Sequence, residues 1–278
     1  MIVWVDGELA PVERARVSPL DHGILTGDGV FETLRVYRGV PFAWRRHLER
    51  LEHSASGLGL VAPPDDHLRR ATGAVLEANR LLHARLRITL TGGAGALGSE
   101  RVAERQTVIV AASPLAPVGP SVHVVSVPWP RNERGALSGL KTISYAENVR
   151  ALAMASAAGA GEAMFLNTRD ELCEGTGTNV FLVADGRLLT PPASSGCLLG
   201  VTRALVLELA GRLGIPAAEA TLSIAELTAA DEAFLTSSTR EVQAIHRVDD
   251  VAMPAVPGLF TARLSRAFAA LVAEDLDP

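Results

Sequence analysis

Leu140-Lys141-Thr142-Ile143-Ser144-Tyr145-Ala146-Glu147-Asn148-Val149 is the stretch around which the chain organises. Lys141 is the only lysine among 278 residues. Arginine stays protonated and is no nucleophile, whereas a desolvated lysine can lose its proton and form a Schiff base. Lys141 is therefore either a chance surface amine or the reactive group. The motifs on both sides decide between these readings.

Working outward, Tyr145–Ala158 reads as an Ala-rich helix and Val122–Val127 as the strand before it. Ala112–Pro120 holds three prolines and one glycine in nine residues, which marks a linker over 113–120. Before it, Ile2–Val5, Val30–Tyr37, Val40–Ala43, Arg85–Leu90 and Gln106–Ala111 read as strands. Trp44–Leu58 and a segment from Pro63-Pro64 to about Leu82 read as helices. After the linker, Ala163–Asn167, Thr178–Val183, Arg187–Thr190, Ala233–Thr236 and Glu241–Val248 read as strands. Thr202–Leu213, Ile224–Ala229 and Pro257–Val272 read as helices. Strands and helices mix without regular βαβ alternation, which predicts an α+β (mixed α/β) fold. The expected domains are a smaller one over 1–112 and a larger one over 121–278 that carries Lys141.

Composition narrows the function. The net charge of −5 comes from interspersed acidic and basic residues, which argues against a nucleic-acid partner. No apolar run reaches membrane-spanning length and no signal peptide is evident, so a cytoplasmic protein is expected. Cys173 and Cys197 have neither metal-ligand nor disulfide spacing and read as buried thiols. The histidines are scattered, so no metal site is expected.

Five motifs carry the chemistry. On the first pocket strand, Phe31, Thr33 and Arg35 share one face, while Glu32, Leu34 and Val36 share the other. On the following helix, His47, Arg50, Leu51 and Ser54 fall on one stripe. Arg50 either aims its planar fork at a phosphate or carboxylate, or pairs with Glu49 or Glu52 at the surface. Lys141 lies in the second motif. In the third, Glu171-Leu-Cys-Glu174-Gly-Thr-Gly-Thr-Asn179, Glu174 precedes a Gly/Thr turn. It is a turn residue or a buried carboxylate with a cationic partner. In the fourth, Leu198-Leu-Gly-Val201-Thr202 opens a helix whose first N–H groups are available to an anion. The fifth, Leu235-Thr-Ser237-Ser238-Thr239, is a hydroxyl-rich turn suited to phosphate. An imine-forming lysine, a carboxylate and three phosphate-capable elements together answer to pyridoxal 5′-phosphate.

The chain resembles the class IV, fold-type IV pyridoxal-phosphate enzymes: branched-chain aminotransferases, D-amino acid aminotransferases and aminodeoxychorismate lyases. The resemblance runs from Gly27 to about Val248, with the five motifs in the family's order. It implies two domains with the cofactor between them, usually in a homodimer. It implies that Lys141 forms the Schiff base and shuttles the proton, and that Glu174 pairs with the pyridine nitrogen. Arg50, the Val201 and Thr202 amides, Ser237 and Ser238 would hold the phosphate. Leu198 would pack on the ring, and Tyr145 would sit near its 3′-oxygen.

The substrate side departs from the family's best-known patterns. D-Amino acid aminotransferases have Tyr at the position of Phe31 and an Arg-x-His pair where this chain has Gly92–Gly98. Branched-chain enzymes have Gly at the position of Thr33, a Tyr near Thr26 and G-G-N-Y after the lysine. Thr33, Arg87 and the glycine-rich loop are closer to the lyases. Phe31, Thr33, Arg35, Arg87 and Thr239 are the candidate substrate contacts. The expectation is an aminotransferase acting on D-amino acids and 2-oxo acids. The alternative is 4-amino-4-deoxychorismate lyase, with a branched-chain L-aminotransferase behind it.

Overall fold

Asp6 and Gly7, both at positive φ, turn the chain between two short strands, β1 (Ile2–Val5) and β2 (Glu8–Pro11). Such two-residue turns match the twist of the strands they join. This computed structural model describes residues 1–101 and 106–278. A single helical turn, α1 (His22–Leu25), leads into β3 (Gly29–Tyr37). Arg38 and Gly39 turn it into β4 (Val40–Pro41). Next come α2 (Trp44–Gly57), α3 (Asp65–Asn79), β5 (Ala84–Thr91) and β6 (Thr107–Pro114). Among the described residues these strands form one sheet in the order β2-β1-β6-β5-β3-β4.

The sheet buries one face under the two helices. Leu48, Leu51 and Ala55 of α2, and Leu68, Ala71 and Val75 of α3, join Leu34, Leu86 and Val110 in one core. Full burial of one such leucine is worth about 1.5–3 kcal/mol. The helical spacing of these residues is therefore what sets α2 and α3 against the strands.

The chain divides into two units. The first comprises Met1–Ala116, Leu140–Tyr145 and Asp275–Pro278; the second comprises Pro117–Gly139 and Ala146–Glu274. Two sequence expectations are corrected here. Residues 113 and 114 belong to β6, because Ala112–Pro114 pairs with Leu86–Ala84. Lys141 belongs to the first unit rather than to a domain over 121–278. β4 covers only the far end of β3, at Val36 and Tyr37, and leaves the start of that edge for residues 141–143. Phe31 N–H donates to the Lys141 carbonyl at 3.0 Å, and Ile143 N–H to the Gly29 carbonyl at 2.9 Å. Position 29 has to be glycine, since a Cβ there would lie 2.5 Å from the Leu90 carbonyl oxygen and 2.8 Å from Ile143. The last residues return for a similar reason. The Asp277 carboxylate accepts the Arg45 N–H at 2.9 Å, supplying a helix-start acceptor that Ala43 lacks.

The second unit runs β7 (Ser121–Ser126), α4 (Ala146–Ala157), β8 (Glu162–Leu166), β9 (Leu172–Gly175), β10 (Asn179–Ala184) and β11 (Arg187–Thr190). It continues with α5 (Val201–Arg212), β12 (Ala217–Glu219), α6 (Ile224–Ala229), β13 (Glu232–Ser237), β14 (Glu241–Val248), β15 (Val251–Ala252) and α7 (Leu259–Glu274). Its sheet has the order β12-β11-β10-β13-β14-β7-β8-β9, with β15 on β14. β10 is apolar apart from Asn179, as a strand buried on both faces should be, and β13 is buried along nearly all its length. Cys173 and Cys197 are both buried and free, and burial raises both thiol pKa values. No helix among the described residues is long and apolar enough to cross a membrane.

Candidate active site

In the first unit the Lys141 amine stands beside an aromatic ring. Lys141 Nζ lies 4.4 Å from the centroid of the Phe31 ring. The Arg87 guanidinium lies 3.7 Å from the same centroid, and Tyr145 meets the ring edge-on at 5.3 Å. The strand register explains the arrangement, since Thr33 opposes Arg87 and Phe31 opposes Thr89 across β3 and β5. Arg87 keeps solvent along its side chain, yet its head is partly desolvated. That desolvation lowers its pKa from the ordinary arginine value, with Tyr145 acting in the opposite direction. Arg35 places its guanidinium 4.8 Å from the Tyr37 ring instead.

Beneath this face lies a charge network that sequence reasoning missed. Glu32 is fully buried. Its carboxylate accepts from Arg50 Nε at 2.7 Å, from Arg50 Nη2 at 2.9 Å and from His47 Nδ1 at 2.7 Å. Arg50 thus pairs with Glu32, rather than with Glu49 or Glu52. Burial alone would raise the Glu32 pKa, but Arg50 and His47 overcome it and hold the carboxyl well below the usual range. Burial outweighs Glu32 at His47 and keeps that pKa below its ordinary value. His47 Nδ1 is the ring nitrogen that faces the Glu32 carboxylate. One turn beyond Arg50, Ser54 Oγ accepts the Lys141 N–H at 3.1 Å. The predicted stripe of His47, Arg50 and Ser54 is what reaches these partners. The available signal was a carboxylate at position 32 on an otherwise apolar strand face with Val30, Leu34 and Val36.

In the second unit, Glu174 sits on β9 rather than in a turn. Its Oε2 accepts the Leu198 N–H at 2.9 Å, and its Oε1 is 3.8 Å from Arg131 Nη2. Asn179 holds the approach to α5 by donating to the Leu198 carbonyl at 2.7 Å. A Cβ at Gly200 would meet the Asn179 amide oxygen, so any other residue at that helix cap would displace the Asn179 side chain. Val201 and Thr202 open α5 with no side-chain cap over their amides. Helix-start amides of this kind favour an anion. Ser237 ends β13, and its Oγ accepts the Arg240 N–H at 3.2 Å across the turn holding Ser238 and Thr239.

The chain matches the model of the family "Amino-transferase class IV" over residues 29–248. It is 30% identical to D-alanine aminotransferase of Listeria monocytogenes serotype 1/2a (strain 10403S), covering 90% of this chain and 89% of that protein. The branched-chain aminotransferase of Thermoproteus uzoniensis, solved with norvaline, superposes with a TM-score of 0.92 at 31% identity. That match covers 99% of this chain and 95% of the other. A T.th. branched-chain amino acid aminotransferase, solved with pyridoxamine 5′-phosphate, gives a TM-score of 0.91 at 28% identity, covering 98% and 94%.

The donor set fits pyridoxal 5′-phosphate. One amine faces an aromatic ring, one guanidinium is fixed by a buried carboxylate, and one long helix starts with uncapped amides. In the second unit one carboxylate is held by a backbone N–H. The chain belongs to the class IV aminotransferases, and its cofactor is pyridoxal 5′-phosphate.

Proposed function

We propose that this aminotransferase takes the amino group from D-amino acids and gives it to a 2-oxo acid. The observation that carries the reading is the Phe31 ring, whose centroid lies 4.4 Å from the Lys141 amine and 3.7 Å from the Arg87 guanidinium. Arg87, whose planar fork suits a carboxylate, is the cation beside the same ring that would take the carboxylate of the amino acid. Phe31 and Thr33 wall the substrate, with Arg35 and Thr239 at its margins. Thr33 stands where the branched-chain enzymes it resembles have glycine, which supports D- over L-branched-chain donors.

Pyridoxal phosphate, when bound, supplies an aldehyde for the amino group and a ring that accepts the electron pair left at the α-carbon. The protein's own residues do the rest. Lys141 Nζ takes the α-proton and returns it on the other side of the transfer. Glu174 would serve the ring nitrogen. Arg50, the Val201 and Thr202 amides, Ser237 and Ser238 would hold the phosphate. Leu198 would pack on the ring, and Tyr145 would serve its 3′-oxygen.

Absorbance of the yellow enzyme, mixed with single D- and L-amino acids and no oxo acid, tests the reading. D-Amino acids are expected to convert the visible band to that of the pyridoxamine form. Conversion by L-branched-chain donors alone would overturn the D preference. If no amino acid converts it, the transfer reading itself fails and 4-amino-4-deoxychorismate becomes the substrate to try. Arg50→Ala is expected to weaken cofactor binding by roughly tenfold to a hundredfold, the worth of one hydrogen bond to a charged group. Equilibrium dialysis of the cofactor checks it, and unchanged affinity would remove Arg50 from the phosphate site.

A further inference from the structure

Arg131 has no part in the chemistry described so far, yet it is held with unusual care. Its backbone N–H donates to the Leu166 carbonyl at 2.7 Å, and the residue bridges to Asn167. Its guanidinium lies 4.1 Å from the centroid of the fully buried Phe165 ring. Phe165 on β8 is the direct cross-strand neighbour of Glu174 on β9. Stacking on Phe165 therefore brings the charge beside the carboxylate, with Arg131 Nη2 3.8 Å from Glu174 Oε1. Nη1 donates to Asn148 Oδ1 at 3.2 Å, and Asn148 Nδ2 donates to the Thr176 carbonyl at 2.5 Å. Asn148 thus ties Arg131 to the turn that follows Glu174. Nη1 also lies 3.4 Å from Glu147, an exposed carboxylate on α4.

The remaining donors decide the matter. Arg131 Nε and Nη2 are buried and have no hydrogen-bond acceptor among the described residues. Leaving such groups buried costs free energy unless a nearby negative charge offsets it. Glu147 is mostly in water, where its field is screened. Glu174 is the carboxylate on the buried side, and its Oε2 is already fixed by the Leu198 N–H.

We propose that Arg131 is a positioning residue that keeps Glu174 ionised, so that the proton between Glu174 and the cofactor's pyridine nitrogen stays on the nitrogen. The proposal rests on the reading that Glu174 faces that nitrogen. A carboxylate beside a guanidinium binds a proton less tightly than one standing alone. Without Arg131 the proton moves toward Glu174. The ring then loses positive charge and accepts the electron pair less readily.

Holoenzyme loaded with ¹⁵N-labelled pyridoxal phosphate gives the test, because the ring-nitrogen chemical shift reports directly where the proton is. Arg131→Gln keeps a donor to Asn148 and removes the charge. It is expected to move the signal toward the unprotonated value and to lower kcat by about tenfold or more. Arg131→Lys, which restores the charge, is expected to restore the signal. An unmoved signal in Arg131→Gln overturns the proposal. Should that variant fail to fold, Arg131→Lys decides, since loss of the nitrogen proton there would exclude charge as the cause. Glu174→Gln separates the two claims. If it leaves the nitrogen signal unchanged, the pairing of Glu174 with the ring fails. If it shifts the signal while Arg131→Gln does not, only the role of Arg131 fails.

Discussion

Lys141→Ala is expected to give a folded protein with no measurable turnover. The side chain is asked to anchor the cofactor aldehyde and to move the α-proton, and general-base assistance alone is worth about 10²–10⁴-fold. With a single lysine in the sequence, no second ε-amine can stand in. The fold should survive because the segment is held through its backbone. The Lys141 carbonyl accepts from Phe31, and its N–H donates to Ser54. Neither bond uses the amine. Lys141→Arg should be as inactive as the alanine variant, since arginine keeps the charge but cannot give up its proton at working pH. Single-turnover kinetics with the best donor, alongside a circular-dichroism melt, provide the check. Substantial turnover in a folded Lys141→Ala protein would end the mechanism proposed for this chain.

Glu32→Ala should cost more stability than any change on the open pocket face. Removing one partner of a buried ion pair leaves the other charge uncompensated, typically at about 3–5 kcal/mol. Here the orphan would be Arg50, with only 12% of its side chain exposed. Cofactor binding should weaken as well, because the bonds that orient the guanidinium are gone. The effect has a pH signature. The folded pKa of Glu32 lies below that of a free glutamate, about 4.3. Its contribution to stability is therefore complete above the unfolded pKa and is lost as pH falls below that value toward the folded one. Urea unfolding of wild type and Glu32→Ala, at neutral pH and again in acid, should show a gap that narrows in acid. A gap below about 1 kcal/mol at neutral pH would mean that Arg50 finds another partner.

Local patterns were legible in the sequence wherever chemistry is local. The helical stripe of α2, the alternation along β3 and the glycine-rich entry to α5 all follow from spacing, and each placed its residues correctly. Long-range pairing was not legible. Nothing in periodicity tells that Leu140–Tyr145 returns to β3, because that depends on how much of a strand edge β4 leaves uncovered. The partner of Arg50 was missed for a related reason. The carboxylates at 49 and 52 are near in sequence but do not face Arg50 on a helix, whereas Glu32 is reached only when α2 packs on β3. Glu174 read either as a turn residue or as a buried carboxylate with a cationic partner; pairing with β8 makes it a strand residue, with Arg131 beside it.

The return of residues 140–145 to the first unit also bears on how such a protein can be inherited. A recombination point in the proline-rich stretch would look like a clean seam between modules. It would nonetheless part Lys141 from the strand that fixes it, and the closing residues from the helix they cap. The fold thus penalises exchange of either half alone, and lineages carrying it would be expected to diversify by point substitution around the pocket rather than by swapping modules.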